Sequence, residues 1–377
     1  MNVVNRVGLN GRFTGVLQPT GTQTAAYWLY DSIIRSKRDF EVVLFADLDG
    51  IANFPEWRQQ QGVEFVNVPF RRFGRIRSNL WEQIIFPRKA KRHGCDLIHN
   101  PINTCPIFGL GLNNYVTVHD LNFIHHAKTY SLLFRNWLTH FIVPAIKSAT
   151  KIVCVSGFVR DDVVQTLGVE PEKVSKIYNG VRPLKIQSSK DYEGRRYVLA
   201  VNPWQPHKNV IRLIKAWKRL TEEDSELELL IVGRPQENFN HSRELLSLIS
   251  DKRIQNLGYL TNEDLAGVYS SATAFCYPSL EEGFGLPILE SLSLGTPVVT
   301  SNLSCLPEVG SDVCFYVDPF SIDSIEKGLR EAVYEELNNR QSRVNAGIEH
   351  ARKFLWSEAG KSYCELFSKQ FESRIVE

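Results

Sequence analysis

The chain has 377 residues, 43% hydrophobic and 23% charged, which fits a globular protein too long for one core and sized for two domains. No apolar run reaches the roughly 18–20 residues of a membrane helix, and MNVVNRVGLNGRF at the start lacks an apolar leader segment. Seven scattered cysteines without a C-x-x-C pair argue for reduced, buried thiols in a cytoplasmic protein, against a disulfide framework or zinc site.

The net charge of +2 is uneven: residues 1–185 carry 23 Lys+Arg and 14 Asp+Glu, and the remainder carries 21 and 28. The basic excess gathers in residues 71–94, RRFGRIRSNLWEQIIFPRKAKRHG, where Phe73, Ile76, Leu80, Trp81, Ile84, Ile85 and Phe86 interleave with arginines and lysines. Two readings stand: a core helix with a solvated basic face, or peripheral contact with an anionic membrane surface, at the inner face of the plasma membrane. Nucleic acid is the weakest candidate partner.

In chain order, NRVGLNGRF predicts a strand, VLQPTGTQT a glycine loop and AAYWLYDSIIRS an amphipathic helix, the opening of a Rossmann-like half without the G-x-G-x-x-G fingerprint. FEVVLFAD, GVEFVNVPF, DLIHNP, NNYVTVHDLNF, KIVCVS and VSKIYNGV follow as strands. Helices are predicted between them at WEQIIFPRKAKRHG, over 131–149 and over 157–167. The aperiodic, polar stretch 182–195 predicts an interdomain linker. A second alternating series then runs through RYVLAVN, NVIRLIKAWKRL, LELLIVG, HSRELLSLIS, IQNLGYL, NEDLAGVYSSA, TAFCYPS, TPVVTS, CFYVDP and SIDSIEKGLREAVY. The amphipathic tail WSEAGKSYCELFSKQFES is expected to cross back onto the first domain. The resulting boundaries are 1–185 for the first domain, joined by helix 357–377, and 192–356 for the second. Such α/β sheets bind ligands at their C-terminal strand ends, here in a cleft between two domains.

Three motifs fall at such ends. Residues 277–297, YPSLEEGFGLPILESLSLGTP, read as strand, glycine loop and helix opening. Gly283 and Gly285 admit close backbone approach, and the N–H groups of Gly283, Phe284, Gly285 and Leu286 suit phosphate. Glu282 and Glu290 flank them and suit sugar or ribose hydroxyls, although two solvated glutamates on an ordinary turn would look the same. In VNPWQPHKN, Lys208 is placed to reach phosphate as a point charge, or is a surface lysine at a helix start. In VTVHDLNF, His119 and Asp120 end an apolar strand, able to bond a sugar hydroxyl or to cap the next turn.

The run E-E-G-F-G-L-P-I-L-E, with Glu282 and Glu290 as its E-x7-E pair, resembles the signature of the family-4 retaining glycosyltransferases, which have the GT-B fold of two Rossmann-like domains facing each other across a cleft. NGRF…PTGTQT, VTVHDLNF, IVCVSGFVRDDV, VSKIYNGV, PHKN, LLIVG, NLGYL and SNLSCLPEVGSD sit in family order, so the resemblance spans nearly the whole chain. It is nearest the mannosyltransferase-like branch that builds bacterial surface polysaccharides such as O-antigens.

The resemblance implies a nucleotide-diphosphate sugar donor, a hexose with mannose favoured, and a glycan or lipid-linked acceptor held by the first domain. It implies that Glu290 binds ribose, Glu282 the donor sugar and Lys208 the diphosphate, with the 283–286 amides on phosphate and sugar. His119 would face the donor sugar, Gly21 would approach the diphosphate, and the backbone of Tyr259 and Leu260 would meet the base. No cofactor or metal is implied. Relatives carry an arginine shortly before the lysine; here Asn202-Pro203 and Pro206-His207 stand instead, leaving Arg234 or His207 as substitutes. Retention is implied to proceed by front-face attack, with the leaving diphosphate taking the acceptor proton. Two rivals share the fold: a non-catalytic glycan- or partner-binding protein, and another GT-B enzyme such as a sugar-nucleotide epimerase.

Overall fold

The computed structural model describes residues 4–52, 54–125, 138–186, 192, 194–234 and 243–373. It divides into two units, Met1–Gly180 with Leu355–Glu377, and Val181–Phe354. The chain passes into the second unit ahead of the 182–195 stretch expected to link them, so Arg182 already belongs to the second unit. The expected helix over 131–149 is described only from residue 138, and the one over 241–250 from residue 243.

The first unit holds a seven-stranded parallel sheet: β1 (Arg6–Gly11), β2 (Glu41–Ala46), β3 (Val63–Asn67), β4 (Leu97–Asn100), β5 (Asn113–Val118), β6 (Lys151–Cys154) and β7 (Val174–Lys176). Their order is β3-β2-β1-β4-β5-β6-β7. Val42, Val43, Leu44 and Phe45 of β2 are all fully buried, which is why the central strands read as apolar runs instead of alternating patterns. The helix Gly21–Arg35 follows the first glycine loop, its start fixed by Gln23 accepting from the Thr20 N–H at 2.8 Å.

The helix Trp356–Ser373 belongs to this first unit. Gly360 lies so close to Ser32 that a Cβ would come within 2.1 Å of its Oγ. Phe367 is fully buried, edge-on to Phe40 and Tyr115.

The second unit repeats the plan with six parallel strands: β8 (Tyr197–Val201), β9 (Glu228–Val232), β10 (Ile254–Gly258), β11 (Ala274–Tyr277), β12 (Val298–Ser301) and β13 (Phe315–Val317), ordered β10-β9-β8-β11-β12-β13. The helix Val210–Leu220 lays Val210, Leu213, Ile214, Trp217 and Leu220 on its core, the face its apolar spacing predicts. The long helix Leu337–Ala351 has no counterpart in the sequence-based expectations. It carries few apolar residues, and its fit rests on Gly347, where a Cβ would stand 3.0 Å from Leu292.

Both sheets share one property. β1 lies between β2 and β4, and β8 between β9 and β11, so crossovers leave these strands in opposite directions. A crevice opens at each reversal, at the C-terminal strand ends. Among the described residues, no helix is long and apolar enough to cross a membrane.

Candidate active site

In the second unit the reversal falls between β8 and β11. The chain leaves β8 through a short turn, Pro206–Lys208, and enters the next helix at Asn209, whose φ is +64°. Asn209 donates to the Pro278 and Pro319 carbonyls at 3.0 and 2.7 Å, which ties this turn to the end of β11. Lys208 thereby reaches Glu282. Its Nζ lies 2.5 Å from Glu282 Oε1 and 2.5 Å from the Tyr277 hydroxyl.

Glu282 is only 8% exposed. Burial alone would raise its carboxyl pKa, but the charges of Lys208 and His207 and the bonds from Lys208 and Tyr277 outweigh that, and the net shift is downward. Glu282 is therefore an ionised carboxylate already paired with a cation. An ammonium has three N–H donors and two are engaged here, so Lys208 can bond an anion without releasing Glu282.

The loop beyond is fixed sterically. Gly285 has φ +93°, and a Cβ there would sit 2.9 Å from Leu306 Cδ2. The helix Leu286–Ser293 carries Pro287 as its second residue, where the missing N–H leaves no helical bond unmade. Gly283, Phe284, Gly285 and Leu286 thus lie at a helix N-terminus, with Phe284 buried edge-on to Phe354.

Glu290 is buried on that helix and is not an open carboxylate. Arg182 Nε and Nη2 stand 3.0 and 2.8 Å from its Oε1, and Tyr269 donates to Oε2 at 3.3 Å. Burial pushes the Glu290 carboxyl up, against the pull of Arg182. Arg182 also donates to Asn262 Oδ1 at 2.8 Å. A lone arginine after a strand gives no single-sequence signal, and it was read as linker.

Arg234 is exposed just past β9, the neighbour of β8, with no described ion pair. Tyr259, 61% exposed, and Leu260 follow the edge strand β10.

In the first unit the reversal lies between β1 and β4, and there the structure holds a cavity of about 340 Å³. Its wall includes Arg12, Phe13, Phe73, Asn79, Glu82 and Thr104. Glu82 is 3% exposed; it pairs with Arg12 at 3.3 Å and accepts from Thr104 at 2.9 Å and Asn10 at 3.3 Å. In the sequence Glu82 reads as one residue of a helix. Its signal is a lone acid between Trp81 and Phe86 in an otherwise basic segment.

His119 ends β5 in the same unit. Its ring Nε2 lies 2.8 Å from the Pro101 carbonyl, and its backbone N–H donates to Asn103 at 2.7 Å. Burial lowers its pKa to about 4, so the ring is neutral. A carbonyl only accepts, which puts the proton on Nε2 and leaves Nδ1 as an acceptor. Asp120 accepts from the Asn122 N–H at 3.1 Å and caps the next turn. Gly21 is exposed at the start of its helix, and a Cβ there would meet no atom within 4 Å. Packing does not require a glycine at that position. All seven cysteines are buried and unpaired.

Comparison with known proteins agrees in both units. The model of glycosyl transferases group 1 matches residues 181–350, and that of glycosyltransferase family 4 matches residues 32–183. The O-antigen chain mannosyltransferase RfbU of Salmonella typhimurium is 29% identical over 233 residues, 62% of this chain and 64% of that protein. O-antigen chain mannosyltransferase B of Escherichia coli is 27% identical over 259 residues, 64% of this chain and 66% of that one. These matches span just under two thirds of either relative. Among solved structures, sucrose-phosphate synthase from Thermosynechococcus elongatus superposes with a TM-score of 0.74 over 98% of this chain and 100% of that one, at 16% identity. Two Rossmann-type sheets, the E-x7-E pair on the loop and helix after β11 and these matches lead to one conclusion: the chain has the GT-B fold and belongs to the family-4 glycosyltransferases, beside their mannosyltransferase-like members.

Proposed function

We propose that the protein is a retaining hexosyltransferase of bacterial surface polysaccharide synthesis, acting at the inner face of the plasma membrane. It moves a hexose, mannose by preference, from a nucleotide-diphosphate sugar to a glycan or lipid-linked acceptor. The observation that carries this is the ion pair of Lys208 with the buried Glu282 beside a helix N-terminus, with Glu290 on the same helix. A cation and amide N–H groups suit a diphosphate, and an ionised carboxylate suits sugar hydroxyls and the positive charge of an oxocarbenium-like transition state.

Glu290 takes the ribose, its orientation set by Arg182, and the backbone of Tyr259 and Leu260 meets the base. Lys208 and the amides of Gly283, Phe284, Gly285 and Leu286 stabilise charge developing on the leaving diphosphate, with Arg234 as the second cation. That diphosphate takes the acceptor proton in a front-face attack. His119 offers its neutral Nδ1 to the donor sugar, and Gly21 leaves room for the diphosphate. Charge neutralisation by Lys208 and amides assigns no role to a metal, so EDTA should leave the rate unchanged. The cavity beside Glu82 receives the acceptor.

The test is a thermal-shift screen with GDP-, UDP-, ADP- and TDP-sugars, followed by transfer assays with the binder. A nucleotide sugar that raises the melting temperature, with sugar transferred in retained configuration, is the expected result. Binding without release of nucleoside diphosphate, even with acceptor present, would favour a non-catalytic binding protein.

A further inference from the structure

We infer that residues 71–92 and the adjoining loop 105–110 form a docking face for an anionic lipid bilayer. Resting on the reading above, this favours the lipid-linked one of the two acceptor classes.

Residues 75–92 form one continuous helical run. Its inner side buries Trp81, Glu82, Phe86 and Ala90. Its outer side exposes Ile76 (78%), Leu80 (51%), Ile84 (45%) and Ile85 (43%), large apolar residues that no described segment of the first unit covers. The loop beside it is fastened to this run. Gln83 donates to the Cys105 carbonyl at 2.8 Å and accepts from the Ile107 N–H at 3.0 Å, and Lys91 donates to the Leu110 carbonyl at 3.0 Å. That places Phe108, 77% exposed, next to the helical stripe.

Charge identifies the occupant. Residues 71–92 contain eight Lys/Arg and a single acid, Glu82, which is buried and paired inward with Arg12. Exposed Arg72, Arg77, Arg88, Lys91 and Arg92 therefore surround the apolar residues without exposed acids in that segment to offset them, while Arg71 faces Asp47 at 3.9 Å. Apolar side chains that enter the headgroup layer, ringed by cations, match an anionic leaflet. A protein partner would have to bring acids to every one of these positions. Arg71, Phe73, Gly74, Ser78 and Asn79 of the same segment line the Glu82 cavity, so a bilayer on this face lies at the cavity rim.

The test uses the full chain and no donor or acceptor, so its outcome does not depend on the transferase reading. Co-sedimentation is measured with phosphatidylcholine vesicles and with vesicles in which one third of the lipid is phosphatidylglycerol. The wild type should pellet with the anionic vesicles only, and salt should weaken binding. Ile76→Ser/Leu80→Ser/Phe108→Ser should bind at least about tenfold more weakly, because the exposed apolar area it removes is what inserts. Its thermal unfolding should match the wild type.

Equal binding to neutral vesicles, or full binding by the triple variant, would overturn the proposal. So would a wild-type dimer that the triple variant abolishes, since the face would then belong to a second copy. Because every native cysteine is buried, a dye on Ser78→Cys reports the rim alone. Its emission should shift to the blue on anionic vesicles; binding without that shift would overturn the rim placement.

Discussion

The two chain reversals, β1/β4 and β8/β11, share one topology and differ in how they treat a buried glutamate. In the second unit Glu282 and Glu290 each hold a cation drawn from a distant segment, Lys208 and Arg182. In the first unit Glu82 holds Arg12 on the wall of an open cavity, beside a surface with a large basic excess. The first arrangement is suited to one fixed ligand, a nucleotide diphosphate, whose charges re-use an ion pair already in place. The second leaves open room beside a wall that mixes polar and aromatic side chains.

Breaking the tighter pair should have the largest effect. Lys208→Ala leaves Glu282 buried and unpaired, which should cost about 3–5 kcal/mol in urea unfolding. It should also lower transfer on the order of a hundred- to a thousandfold. Wild-type turnover in this variant would remove Lys208 from the site.

Acid should act next, through two buried histidines of the first unit. Burial lowers His99 to about 3 and His119 to about 4 from the ordinary 6.5. An imidazole whose folded pKa is depressed takes up its proton more readily when unfolded. Stability is therefore full above pH 6.5 and falls as the pH drops towards 4, by up to about 3 kcal/mol for His119. His119→Asn should flatten that limb of the urea midpoint against pH; an unchanged slope would show that His119 titrates freely.

Smaller effects separate the two reversals directly. Arg182→Ala should cost about 2 kcal/mol of stability through Glu290, and should reduce the thermal shift given by the donor. Glu82→Gln keeps the shape of the cavity wall and removes its charge. It should raise the acceptor KM by about tenfold, near 1.4 kcal/mol, while the donor thermal shift stays at the wild-type value. A lowered donor shift in Glu82→Gln would erase the division of labour between the reversals.

Much of this was legible in the chain itself. Buried parallel strands leave apolar runs, and the spacing of Glu282 and Glu290 around a glycine loop survives as a local pattern. Lys208 was legible as a cation after a strand, but its partner was not, because 74 residues separate the two. Arg182 meets Glu290 across 108 residues, and Glu82 is surrounded by helix-forming neighbours that give no hint of a cavity. Local periodicity reports which face is buried; it does not report which distant charge arrives there. The helix Leu337–Ala351 escaped for a related reason, since a small residue against Leu292, not an apolar stripe, seats it.

The return of the helix Trp356–Ser373 to the first unit has a consequence for biosynthesis. The second unit is one continuous stretch, whereas the first must wait for its closing helix until about 170 further residues have been made. At ~5–20 residues per second that delay is roughly 10–30 s. During it, Phe40, Tyr115 and the Ser32 side of the helix Gly21–Arg35 lack their cover, while the second unit can already close its own core. The nascent first unit is then the aggregation-prone half of the chain, and the half a chaperone would bind.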